Sequence, residues 1–163
     1  MSLVIFAVGN PSRGDDALGP LLMAELETQG WPDVTLVADF QLQIEHALDL
    51  DGHDLALFID AGTETPAPFA FYETAPATAP SISSHALSPA AVLQVHTRLR
   101  QATPPAFVLC VRGEKFELGE ALSKAAQGHL AAARQHLATC LAAPEASCWR
   151  QLQTHAGTPR TQP

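Results

Sequence analysis

At 163 residues the chain is long enough to bury the core of one domain, and its apolar fraction of 47% is ordinary for a soluble globular protein. A formal net charge of −8, with no stripe of Lys or Arg, excludes nucleic acid as a partner. No apolar run approaches the roughly 18 residues that cross a bilayer, so no membrane partner is expected.

The run 3–8 (LVIFAV) is uncharged and partly β-branched, which predicts a strand buried on both faces. No basic segment precedes it, and it flows straight into a glycine-containing loop. It therefore reads as a strand and not a secretory signal, and the chain is expected in the cytoplasm. Cys110, Cys140 and Cys148 show no C-x-x-C spacing, which suits a reducing compartment.

The loop Gly9-Asn10-Pro11-Ser12-Arg13-Gly14-Asp15-Asp16 follows. Gly9 and Gly14 permit backbone angles that other residues resist. Asp15 is expected to cap the next helix, so that Asp15→Asn would be tolerated. Capping needs one carboxylate, which leaves Asp16 free for chemistry at a strand end, where open α/β sheets place ligands.

Leu18, Leu22 and Leu26 keep helical spacing, and Gly30 is a natural stop. Residues 34–38 predict a second strand ending at Asp39-Phe40. Residues 41–50 predict a short helix with Ile44, Ala47 and Leu48 inward. The run 55–59 is continuously apolar, hence a central third strand, and it ends in Asp60-Ala61-Gly62.

Residues 69–73 alternate like an edge strand, and 74–84 read as a surface loop. Ser88-Pro89 opens a helix carrying Val92, Val95, His96 and Leu99 on one side. Residues 106–111 make a fifth strand. A last helix opens near Leu118–Glu120 with the stripe Leu122, Ala126, Leu130, Ala133, Leu137 and Leu141. His129 and His136 read as solvated, and His46 and His53 are given no function. The stripe stops at 142, so a single domain 1–142 and a loose tail 143–163 are expected.

Alternating strands and helices predict an α/β three-layer sandwich: a mostly parallel, twisted five-stranded sheet with helices on both faces. If the first and third strands are close, Asp16 and Asp60 emerge on one edge, and His85 in the following loop can fold over it. Two carboxylates and one imidazole form a mixed O/O/N set suited to nickel, zinc or manganese, with coordination positions left open. No Gly-x-Ser-x-Gly elbow, His-Glu-x-x-His helix or phosphate-binding glycine loop is present.

The stretches Gly9-Asn10, Asp15-Asp16, Ile59-Asp60-Ala61 and Ser83-Ser84-His85-Ala86-Leu87 resemble, residue by residue, the signature of the hydrogenase maturation proteases. Ala17 stands where that family usually has glycine, and Ser12 where a bulky apolar residue is common. The resemblance implies the phosphorylase/hydrolase-like fold. It also implies an endopeptidase that removes a C-terminal peptide from the nickel-loaded precursor of a nickel–iron hydrogenase large subunit. Asp16, Asp60 and His85 would be the metal-contacting and catalytic set, with nickel supplied by the precursor and no organic cofactor. Asn10, Asp39, Gln41 and Glu114 are candidates for the substrate groove, and a monomer is expected. The segments 39–43, 45–50 and 112–120 resemble the subgroup that serves NAD(P)-linked bidirectional hydrogenases. A non-catalytic chaperone or metal-inspection module for the same precursor is the alternative.

Overall fold

An apolar run without alternation must be covered on both faces, and the computed structural model, which describes residues 2–78 and 87–154, does this with three layers. The strands are β1 (Leu3–Val8), β2 (Val34–Asp39), β3 (Leu55–Gly62), β4 (Phe69–Thr74) and β5 (Ala106–Arg112). The helices are α1 (Leu18–Gln29), α2 (Pro89–Arg100), α3 (Lys124–Ala142) and α4 (Ala146–Gln151). Short 3-10 helices span Gly14–Ala17 and Ile44–Leu50.

The five strands pair in the order β2-β1-β3-β5-β4. All neighbours are parallel except β4, which runs antiparallel to β5 on the edge. Odd-numbered residues of β1 and β3 pack with α1, α3 and Trp149. Even-numbered ones pack with Val92 and Leu93 of α2 and with Ala47 and Leu50. From β1 the chain passes outward to β2, then returns to lay β3 on the other side of β1. The crevice between the carboxyl ends of β1 and β3 is therefore the topological switch point, where α/β sheets take their ligands.

Four expectations change. The segment from 143 is not loose over its described part. Trp149 of α4 is completely buried, its ring edge meets Phe71 (5.9 Å) and Phe107 (5.3 Å), and its Nε1 donates to Cys140 O at 2.8 Å. Beyond α4 the chain lies on β4: Thr154 N donates to Phe71 O, Phe71 N to Thr154 Oγ1, and Glu73 N to Gln153 Oε1. A six-residue helix with one large apolar residue is too short to show a stripe. Residues 155–163 lie outside the described part.

Second, residues 44–50 wind at three per turn, which turns a different face inward. Leu42, His46, Ala47 and Leu50 are buried, while Ile44 and Leu48 are exposed. Third, the last helix begins at Lys124, capped by Ser123 Oγ, which accepts from Ala126 N. Its histidines are half-buried and have protein partners rather than standing free in solvent. His129 Nδ1 lies 3.0 Å from Arg112 O, and His136 packs on the rings of Phe69 and Phe71 at 4.7 and 4.8 Å, where burial lowers its pKa. Fourth, Asp15 is no cap, as the site makes clear below. Among the described residues no helix is long and apolar enough to cross a membrane.

Trp149→Ala should destabilise the protein by about 3–5 kcal/mol, the range for emptying an aromatic core site. Urea unfolding followed by circular dichroism measures it; a loose tail would give no change.

Candidate functional site

β1 stops pairing with β3 at Ala7–Ile59, one residue before Asp60, so Asp60 emerges where its neighbour turns away. On its other side Asp60 still pairs with Cys110 of β5. Its Oδ1 accepts from Ala61 N at 2.8 Å. Burial pushes the Asp60 carboxyl up to about 6 against that hydrogen bond, and the charge of Asp16 adds to the rise. The loop after β1 supplies Asp16, whose Oδ2 accepts from Asn10 N at 2.7 Å. Gly9, at φ +147°, starts this loop, and a Cβ there would collide with Asp16 O.

Both aspartates line one cleft of about 450 Å³, bounded by Val8, Phe40, Gln41, Leu42, Ala61, Gly62, Thr63, Leu87 and Phe116. Among the described residues this lining contains no Lys, Arg or His. Phe40 is 65% exposed on one wall. Cys110 is no thiolate here: its Sγ sits 3.0 Å from Thr65 Oγ1, and burial pushes the thiol up to about 11.

Asp15 points the other way. It is completely buried and accepts from Glu114 N (2.7 Å), Lys115 N (3.1 Å), Ser123 N (2.7 Å) and Ser123 Oγ (2.7 Å). Burial alone would raise its pKa, but the donors from Ser123, Glu114 and Lys115 more than offset this, and the net shift is downward. The cap expectation fails because Asp15 serves chain segments about a hundred residues away, which local spacing cannot reveal.

The other predicted site residues are placed as follows. Gln41 lines the cleft. Asn10 braces Asp16 through its N–H and takes Ser12 N on its own Oδ1. Asp39 Oδ1 accepts from Phe40 N, and its Oδ2 lies 3.4 Å from His46 Nε2. Glu114 pairs with Arg112 Nε at 3.3 Å and lends its N–H to Asp15. His85 lies outside the described residues, which resume at Leu87 on the cleft wall. Among the described residues no three His, Cys, Asp or Glu gather to hold a metal. Phe40, Leu42 and Phe116 belong to the segments 39–43 and 112–120, which follow strands and are expected beside the site, and they do line the cleft; Thr63 is the lining residue that no sequence signal marks.

No family model matches the chain, and no curated protein does. Solved structures do. The fold is that of the hydrogenase maturation endopeptidases. The chain is similar to the hydrogenase maturating endopeptidase HybD from E. coli at TM-score 0.71 and 21% identity, over 87% of this chain and 93% of that one. It is also similar to the [NiFe] hydrogenase maturation protease HycI from Thermococcus kodakarensis (TM-score 0.66, 22% identity, 86% and 92% covered). An endopeptidase from Escherichia coli solved in solution matches at TM-score 0.67 and 22% identity, over 86% and 92%.

Two stability measurements check this geometry. Asp15→Asn leaves one carbonyl oxygen to serve the donors around it and turns an NH2 toward the rest. It should cost about 3 kcal/mol or more in urea unfolding. Asp60 carries the opposite sign. A raised folded pKa means stability is greatest below the unfolded value near 3.8 and is lost as pH rises to about 6. Asp60→Asn should therefore be more stable than the parent at pH 8, by about 1–3 kcal/mol. The gain should shrink as pH falls from 6 toward 4, and thermal melts across that range read it directly.

Proposed function

We propose that this protein is an endopeptidase that removes a C-terminal peptide from the nickel-loaded precursor of a nickel–iron hydrogenase large subunit. The observation that carries this reading is the meeting of Asp16 and Asp60 in a cleft at the switch point, with no cation among the described residues of its lining. Two neighbouring carboxylates repel, and burial sharpens the repulsion. A cation delivered by the substrate relieves it, and lowers the proton affinity of Asp60 as it does so. The fold shared with HybD and HycI, which are named for hydrogenase maturation, supports that class of substrate.

In this reading Asp16 and Asp60 hold the substrate's nickel, with His85 proposed as a nitrogen ligand. The scissile carbonyl beside the ion is polarised, and a carboxylate oxygen accepts a proton from the attacking water. Phe40, Gln41, Leu42 and Phe116 hold the peptide on either side. Cys110 is unsuited as a nucleophile because its thiol stays protonated at neutral pH. The resemblance of segments 39–43, 45–50 and 112–120 to the subgroup serving NAD(P)-linked bidirectional hydrogenases supports the precursor of such an enzyme as the substrate. The protein acts in the cytoplasm as a monomer.

Incubation with nickel-loaded precursor, read by mass spectrometry, tests the proposal. The parent protein should release a C-terminal peptide, whereas a chaperone would bind the precursor and leave its mass unchanged. Asp16→Asn keeps an oxygen for the Asn10 N–H but removes the charge. It should lower processing by about a hundredfold or more while changing stability by less than about 1 kcal/mol. Processing at the parent rate would overturn the assignment.

A further inference from the structure

One wall of the cleft is built from three consecutive residues, Phe40, Gln41 and Leu42, which follow β2 and belong to no helix or strand. A segment of this kind holds its shape only if its backbone groups have partners. Asp39 Oδ1 accepts the Phe40 N–H at 2.7 Å at one end. At the other end His46 Nδ1 accepts the Gln43 N–H at 2.8 Å, while the Gln43 side chain accepts from the His46 backbone. An accepting Nδ1 leaves the ring proton on Nε2, and Nε2 faces Asp39 Oδ2 at 3.4 Å. The two ends of the wall are thus joined through one imidazole. That ring is itself fixed, since it is 7% exposed and meets Phe6 edge-on at 5.9 Å.

We propose that His46 is a positioning residue that fixes the cleft wall Phe40-Gln41-Leu42 by bridging Gln43 and Asp39. It touches no reacting group, and its consequence for substrate rests on the reading of the cleft as a peptide groove. A wall held in advance lowers the ordering cost of binding, so loss of the bridge weakens capture of the precursor and spares the chemical step at Asp16 and Asp60.

The substitutions separate the nitrogens of the ring. His46→Leu keeps an apolar side chain against Phe6 and removes both polar contacts. His46→Asn places an oxygen near the position of Nδ1 and restores the acceptor for Gln43 N–H alone. Amide exchange by NMR reads the wall directly. In His46→Leu, exchange at Phe40 and Gln43 should quicken about tenfold and KM for nickel-loaded precursor should rise about tenfold, with kcat within about twofold. His46→Asn should restore protection at Gln43 and bring KM back to within about threefold. Unchanged exchange and KM in His46→Leu overturns the proposal. So does a fall in kcat at constant KM, or an Asn variant no better than Leu. Should His46→Leu fail to fold, Asp39→Asn serves instead, since its side chain is 38% exposed and its oxygen can still accept from Phe40 N. It should raise KM, and an unchanged KM overturns the proposal equally. If the parent protein does not process precursor at all, the functional reading fails, while the exchange rates still decide whether His46 holds the wall.

Discussion

The buried carboxylate of Asp15 is the contact on which the arrangement of the site depends. Three backbone N–H groups and one hydroxyl converge on it, tying the loop after β1 to the loop after β5 and to the start of α3. Its own N–H donates to Lys115 O at 2.7 Å, so side chain and main chain make the same junction. A charge removed from water is costly unless fully hydrogen-bonded, and this one is. Space for the junction comes from Gly14, where a Cβ would strike Lys115 O, and Gly113, where it would press on the Phe116 ring. With Asp15 anchored inward, the next residue on the 3-10 turn is directed elsewhere, which delivers Asp16 to the cleft.

The electrostatics of the cleft follow from what stands around it. Asp60 is surrounded by strand ends and takes one backbone donor, too few to offset its burial. Arg112, at the carboxyl end of β5, is turned away: it donates to Thr65 O and pairs with Glu114. Among the described residues, the carboxylates therefore meet without a counter-charge in the lining. That is an unfavourable state for the folded chain alone and a favourable one for capturing a cation, a trade common at functional sites.

Runs with one dominant pattern were legible in the sequence. The three apolar runs became β1, β3 and β5, and the stripe from Ala126 to Leu141 became the buried face of α3. Asp16 and Asp60 could be placed on one edge because adjacent parallel strands bring the loop after β1 and the far end of β3 to the same side of the sheet. What stayed hidden depended on long-range partners or irregular geometry. Asp15 and Asp16 are chemically identical neighbours, and only the distant donors of Glu114, Lys115 and Ser123 tell them apart. His46 follows a glutamate and an isoleucine that are both exposed, yet it is buried because a 3-10 turn presents it to Phe6. Trp149 lies among polar residues, and its pocket between Phe71 and Phe107 exists only once β4 and β5 have paired.

The path of the chain beyond α4 has a consequence for the protein in crowded solution. β4 ends the sheet, and an end strand offers free amides and carbonyls on which a foreign strand can dock. Here Phe71 N and O are both occupied by Thr154, and Glu73 N by Gln153. Arg150 adds an ion pair to the Glu73 carboxylate at 2.8 Å. Residues 150–154 thus act as a selvedge on the sheet, finishing a border where another molecule's strand could otherwise be added. The same short segment that completes the core through Trp149 also blocks this edge, so that at β4 the sheet is denied a further strand.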